Sequence, residues 1–557
     1  MGRFHRFLLV TLLTMLGPRA HAQEAVLFDW FEYSGHDKAF EPPLPPGHYR
    51  NPILAGFSPD PSVVRVGERY YLVNSSFAYF PSIPVYESSD LVHWTPIGHV
   101  IDRPGELSFD GMGMSRGVFA PAISYHDGTY YVINTAVDNG GNFIATATNP
   151  AGPWSDPIWL PGIDGIDPSL FFDEDGKAYM LNNGPPEGEP LYEGHRAIWM
   201  QQIDLARHVL VGPRKVVLNG GTDLAKHPIW IEGPHLYKHD GWYYLLCAEG
   251  GTGPQHSEVV LRSRAVWGPY VAYAGNPILT QRDLAADRAD PIVNAGHADL
   301  VEAKDGSWWA VFLASRAYDR THVNIGRETY LLPVEWKDGW PTILPRGHAI
   351  PTVVAGPSFM QPNATQAPLS DNGRWRDNFD SSTLDPSWMY VRVPNQPWTD
   401  LRTHPGKLAI HPLAQDLDTL RNPSFLARRQ QHLAFEASTA LAVPTHAGIE
   451  AGIAAFQNEH YWYALGVQRV GDQPLLSLRR HRGNDVAVVA TAELPNTVRD
   501  LTLKITADGG AYAFGYDDGS GLRWLARNQD GTVLSTDVAG GFVGTVVGPY
   551  ARQLGNP

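Results

Sequence analysis

Between residues 51 and 345 one short pattern recurs five times: GERYYLVNS from Gly67, DGTYYVINT from Asp127, DGKAYMLNN from Asp175, DGWYYLLCA from Asp240 and DGSWWAVFL from Asp305. Each copy is a glycine turn followed by an aromatic or β-branched run, the pattern of a β-hairpin. The turns follow one another at intervals of about 50 to 65 residues, room for one small antiparallel sheet per repeat. Repetition at such a period predicts an all-β, five-bladed β-propeller, in which five similar sheets pack radially.

The first strand of each blade lies nearest the propeller axis, so residues at its start converge on one funnel. Nine positions before Gly128, Gly176, Gly241 and Gly306 stand Phe119, Asp167, Glu232 and His297. Before Gly67 the hairpin is shorter, and Asp60-Pro61-Ser62 matches Asp167-Pro168-Ser169. The expected ring holds three acids, one histidine and one aromatic. A carboxylate at the start of a strand also serves to cap backbone N–H groups, but three at matching places in separate blades fit that role poorly. Paired carboxylates facing a cavity are what glycoside hydrolysis needs, one protonated to serve the leaving oxygen and one ionised to activate water or attack. Phe77, Tyr79, Phe80, Trp199 and Trp230 are candidate apolar faces for sugar rings, with core packing as the competing role of each.

Composition narrows the partners. Charged residues make up 18% of the 557, while Gly (55), Pro (46), Trp (17) and Tyr (24) are abundant, as in a turn-rich β protein. A formal charge of -15 and the absence of a basic tract argue against nucleic acid. The opening MGRFHRFLLVTLLTMLGPRAHAQ has a basic start, an apolar run from Phe7 to Leu16 and Ala20-His21-Ala22 before Gln23. It reads as a secretory signal peptide over residues 1–22 and implies a periplasmic or secreted protein. The apolar run is too short to span a membrane. Cys247 is the sole cysteine, so no intrachain disulfide forms.

The segments NPILAGFSPDPSVVRVGERYYLVNSSFAYFPSIPVYESSDLVHW, GIDPSLFFDEDGKAYM, IEGPHLYKHDGWYYLLCAEGGTGPQHSE, AGHADLVEAKDGSWW and NIGRETYLLPVEWKDGWP resemble the β-xylosidase and α-L-arabinofuranosidase branch of glycoside hydrolase family 43. The resemblance implies a five-bladed propeller, in accord with the repeats, and an inverting mechanism. It assigns Asp60 as general base, Asp167 as the acid that tunes and orients, and Glu232 in EGPH as general acid. Arg327 in GRET matches an arginine beside the bound sugar, with a buried structural ion pair as the alternative. His297 matches an axial histidine that in some relatives helps hold a water-ligated calcium ion. No cofactor is required for the chemistry, and a structural Ca2+ near His297 is left open. Where some relatives carry Ile-Trp-Ala-Pro, this chain has VFAP with Phe119, an altered pocket wall. The strip NGPPEGEPLYEG, residues 183 to 194, is a polar surface loop with no role legible in it.

Residues 346–374 are rich in Pro, Gly, Ser and Asn and read as a linker. From 375 to 557 short alternating strands follow at sandwich spacing, and the resemblance continues into a concanavalin-like β-sandwich. In relatives a sandwich loop closes one side of the pocket. GGFVG, residues 540 to 544, matches it and makes Phe542 a candidate wall residue, with a buried turn phenylalanine as the alternative. A pocket closed on one side accepts a chain end, which implies exo action on xylo- or arabino-oligosaccharides. An endo-arabinanase and a non-catalytic carbohydrate-binding propeller are the competing functions.

FDWFEYSG, residues 28 to 35, precedes the propeller. Phe28 and Trp30 are expected on one face and Phe31 and Tyr33 on the other, as in a strand buried within a sheet. Relatives carry a similar strand at the end of the sandwich. The expectation is therefore that residues 23–50 supply a permuted sandwich strand plus a Pro-rich tether, the alternative being a strand in a propeller blade.

Overall fold

The computed structural model describes residues 24–361 and 371–555. The expected signal peptide lies outside the described residues, as does the middle of the expected linker.

Each hairpin repeat seeds one antiparallel sheet. Blade I runs from Ser62–Val66 through Arg69–Val73 and Ser82–Ser88 to Thr95–Ile101. Blade II is built on Ala122–His126, Thr129–Val137 and Gly141–Ala147, and blade III runs from Ile166–Phe172 out to Val209–Asn219. Blade IV starts at Glu232–His239 and blade V at Ile292–Glu302, with Trp340–Thr342 outermost. The ring closes where the segment before blade I lies along the blade V strand Glu328–Lys337. The Asn51 side chain bonds both the N–H and the C=O of Leu331, and Leu54 bridges Thr329.

The second domain is a pair of eight-stranded sheets. One contains the amino-terminal strand Val26–Gly35, which ladders with Ala434–Ala442 on one side and with Arg374–Asp377 and Leu408–Ile410 on the other. Among the described residues this strand forms no ladder with a blade. Its aromatics do not divide as alternation predicts. A bulge between Phe28 and Trp30 shifts the register, so Phe28, Phe31 and Tyr33 all enter the sandwich core. Trp30 turns outward beneath Arg376, whose guanidinium lies 4.2 Å from the ring. Phe31 is fully buried and meets Trp388 edge-on at 5.1 Å. Phe31→Ala is expected to lower the unfolding free energy by about 3–5 kcal/mol, read as a lower denaturant midpoint with activity retained below it.

The connecting segments are packed, not free spans. His48–Arg50 pairs with Val353–Ala355. Arg316 of blade V donates to Asp37 at 2.6 Å, to Glu328 at 2.8 Å and to the Gln431 carbonyl at 2.7 Å, tying tether, propeller and sandwich together. The second sandwich sheet even takes in a propeller segment: Tyr79–Phe80 pairs with Met389–Val391 at its edge. Tyr79 and Phe80 are therefore sheet and core residues, not sugar platforms.

Candidate active site

The axis of the propeller is lined by a repeated backbone irregularity. The first strand of blade III bulges between Ile166 and Ser169, that of blade IV between Glu232 and His235, and that of blade V between Gly296 and Asp299. Aligned on the bulges and, in blade I, on the matching Asp-Pro-Ser, Asp60, Asp167, Gly233 and His297 are equivalent, and all four have left-handed φ, between 52° and 55°. Aspartate, histidine and glycine accept that conformation more readily than β-branched residues, and the sharp turn aims the side chain into the funnel. Glu232 therefore stands one residue earlier than the turn-glycine count placed it. Blade IV turns over two residues, from His239 to Trp242, whereas blades III and V turn over longer loops, from Phe172 to Ala178 and from Glu302 to Trp308. The offset has a consequence at Gly233: a Cβ there would lie 2.9 to 3.1 Å from the His297 ring, so the acid's neighbour must be glycine for His297 to fit.

All eight expected site residues, Asp60, Asp167, Glu232, Phe77, Phe119, His297, Arg327 and Phe542, line one cavity of ≈890 Å³. Trp230 joins them, whereas Trp199 does not; its indole donates to Pro185 and lies under Arg214. Phe77, Phe119 and Phe542 form a mutual aromatic cluster with centroids 5.2 to 5.9 Å apart. Phe542 thus crosses from the sandwich to the cavity. Its loop is held rigidly: the Phe542 N–H donates to Ser115 Oγ at 2.8 Å, Thr545 N–H donates to the Asn324 carbonyl, and Gly544 passes so close to Ile325 that a Cβ would lie 2.0 Å from its carbonyl oxygen.

The three carboxyl groups are buried, yet their proton affinities diverge. Burial alone would raise Asp60, but Arg327 Nη1 at 2.8 Å and the Ser75 hydroxyl at 2.6 Å outweigh it and hold Asp60 below the usual carboxylate range. At Glu232 the compensation from Arg327 and Arg196 is too small to offset burial and charge. Burial, then the Asp167 and Asp60 charges, push it well above that range. Asp167 is raised by burial and by Asp60, with the Gly233 N–H as its hydrogen-bond donor. The arrangement favours the anion at Asp60 and the proton at Glu232, the division of labour that acid–base chemistry at a glycosidic bond requires. His297 and His256 are both pushed down to about 4 by burial and are neutral here.

The protein oxygens around His297 are already engaged, so the water-ligated calcium ion that the resemblance left open would take few of its ligands from the protein. Calcium takes six to eight oxygen ligands. Asp60 is engaged by Arg327 and Ser75, and Asp299 accepts from Ser62, Val63 and Tyr237. Among the described residues no group of three or more His, Cys, Asp or Glu side chains could hold a metal.

Sequence reasoning did not find Arg196, whose guanidinium acts on both Glu232 and Asp167 and lies 5.2 Å from the Trp230 ring, nor His256, close enough to Asp60 to interact with it. Neither belongs to a first-strand ring. Arg196 precedes the third strand of blade III and His256 the third strand of blade IV, and no repeat count reaches them.

The sequence profile of Glycosyl hydrolases family 43 matches residues 49–341, and that of the Beta xylosidase C-terminal Concanavalin A-like domain matches residues 376–557. A xylosidase/arabinosidase of Butyrivibrio fibrisolvens is 37% identical over 511 residues, covering 91% of this chain and 96% of the relative. The non-reducing end alpha-L-arabinofuranosidase BoGH43B of Bacteroides ovatus is 38% identical over 516 residues, covering 91% and 92%. Among solved structures, a GH43_12 protein retrieved from capybara gut metagenome superposes with a TM-score of 0.89 at 39% identity over 95% of this chain and 99% of that one. The xylan beta-1,4-xylosidase of Bacillus halodurans superposes with a TM-score of 0.82 at 32% identity over 91% and 97%.

Proposed function

The chain belongs to glycosyl hydrolases family 43 and is a glycoside hydrolase of hemicellulose, and from that premise we propose an inverting exo-enzyme that removes single xylose or arabinofuranose residues from non-reducing ends of oligosaccharides. One observation carries the reading: Asp60 and Glu232 share a cavity with their proton affinities displaced in opposite directions.

In this mechanism Asp60, ionised against Arg327, takes a proton from a water that attacks the anomeric carbon. Glu232, still protonated, passes its proton to the departing oxygen. Asp167 raises the proton affinity of Glu232 through its own charge. Arg327 does double duty, holding Asp60 anionic and lining the cavity beside the terminal sugar. The Phe77, Phe119 and Phe542 cluster closes the wall on that side, which favours a chain end over a chain middle. The relatives' names favour both pentoses, whose hydroxyls present similar positions to one pocket. With the leader at residues 1–22, the enzyme works in the periplasm or outside the cell, and its chemistry needs no cofactor.

Incubation with xylotetraose and, separately, with an arabino-oligosaccharide tests the reading. Release of monosaccharide alone is expected, with proton NMR of the first product giving the inverted anomer. A retained anomer contradicts the roles above, internal fragments favour the endo-arabinanase, and unaltered oligosaccharide favours the non-catalytic binder.

A further inference from the structure

The acid and the base face different halves of the cavity. Asp60, Arg327, Phe77 and Phe542 form one half, since the Arg327 guanidinium bonds Asp60 and lies 5.8 and 5.6 Å from the Phe77 and Phe542 rings. Glu232 sits with Arg196 and Trp230 in the other. On the reading above, the scissile oxygen lies at Glu232, so whatever lies beyond Glu232 meets the leaving part of the substrate.

There the structure offers an unusual aromatic. Trp230 lines the cavity, is 40% exposed and has φ +51°, a conformation rare for a bulky side chain. Strain of this kind persists only where the surroundings impose it, and they do. The Trp230 N–H donates to the Gly194 carbonyl at 2.9 Å, and a Cβ on Gly194, itself at φ +80°, would lie 2.9 Å from Ile229. The Tyr192 hydroxyl donates to the Pro228 carbonyl at 2.8 Å. Arg196, anchored through Nε and Nη2 to Asn183 Oδ1 at 3.2 and 3.0 Å, lies against the indole. The strip from 183 to 194, without a legible role in the sequence, is thus the brace that holds Trp230 at the rim. The cavity, at ≈890 Å³, is of the size that encloses a whole drug-like ligand and exceeds the needs of one pentose.

We propose that Trp230 is the stacking platform for the leaving sugar and that Arg196 hydrogen-bonds its hydroxyls, so that this wall, set by the 183–194 strip, selects oligosaccharides over simple alkyl glycosides. The inference rests on the exo-glycosidase reading. Stacking on an indole binds the leaving sugar in ground state and transition state alike, so its loss raises KM and spares kcat.

The test compares wild type, Trp230→Ala, Trp230→Tyr and Tyr192→Phe on xylobiose or the matching arabinobiose, on the methyl glycoside of the same pentose, and for inhibition by the free monosaccharide. Trp230→Ala is expected to raise KM for the disaccharide about tenfold with kcat within about twofold, leaving the methyl glycoside KM and the monosaccharide Ki unchanged. Trp230→Tyr should restore most of the loss, and Tyr192→Phe should shift KM in the same direction by less. An unchanged disaccharide KM overturns the proposal. So does an equal loss on disaccharide, methyl glycoside and monosaccharide, which marks Trp230 as a structural support for Glu232. Wild-type enzyme that releases no pentose from either disaccharide sinks the exo-glycosidase reading and this inference with it, an outcome distinct from a normal wild type paired with an indifferent variant.

Discussion

Asp60→Asn is expected to lower kcat/KM by about 10²- to 10⁴-fold or more on every glycoside, whatever its leaving group. An amide cannot take a proton from water, so the attacking step loses its base however easily the other side of the bond departs. The substitution is local. Asparagine tolerates left-handed φ as aspartate does, and its Oδ1 can still accept from Arg327 or Ser75, the partners of the native carboxylate. Loss of this anion also removes one of the charges that raise Glu232, so the alkaline limb of whatever activity remains should move to lower pH. Steady-state kinetics on an oligosaccharide and on an activated aryl glycoside decide the matter. Recovery on the activated substrate would show that Asp60 is not the base.

Glu232→Gln has the second largest expected effect and the opposite signature. On an oligosaccharide the departing alkoxide needs a proton, and the loss should again reach about 10²- to 10⁴-fold. On aryl glycosides with acidic phenols the group leaves unprotonated, and most of the defect should vanish. The pH profile supplies a second check. On the proposed mechanism Glu232 acts while protonated, and burial with the Asp167 and Asp60 charges raises its proton affinity, so in the wild type kcat/KM should fall as pH rises through that displaced value. On the same mechanism Asp60 acts while ionised and is held low by Arg327, so the acid-side fall should come below the usual aspartate range. In Glu232→Gln the alkaline limb should disappear and the acid limb should stay. Equal defects on natural and activated substrates would remove Glu232 from the acid role.

Local signals carried much of this architecture. The hairpin turns are encoded by a glycine and the alternating residues next to it, within reach of nearest-neighbour sterics, so five blades were countable. Asp60 between Pro59 and Pro61 was legible as a restrained carboxylate because proline restricts the residue before it as well as itself. The family resemblance then attached roles to Asp60, Asp167 and Glu232 and drew in Arg327 and Phe542, residues that no periodicity links to the ring.

Other features were hidden because they depend on register. The bulge after Phe28 adds one residue to a strand, and one residue reverses every face downstream; Trp30 and Phe31 exchanged surroundings for that reason. Turn length did the same in blade IV, where a hairpin tighter than its neighbours' displaced Glu232 by one position from the ring of Asp167 and His297. Tyr79 and Phe80 looked like sugar platforms until a strand more than 300 residues later, Met389–Val391, took them as its sheet partners.

By itself, then, the sequence determined the all-β character, the number of blades, the turn positions and the acids at the first strands, because these rest on backbone sterics and side-chain alternation over a few neighbouring residues. Only the tertiary structure decided which acid is anionic and which keeps its proton. That choice arises from Arg327 reaching Asp60 across 267 residues of chain and from Glu232 being buried beside two carboxylates, whose effect with burial outweighs that of Arg327 and Arg196. Desolvation and charge act through space, and the distances that govern them exist only once the blades have closed around the axis.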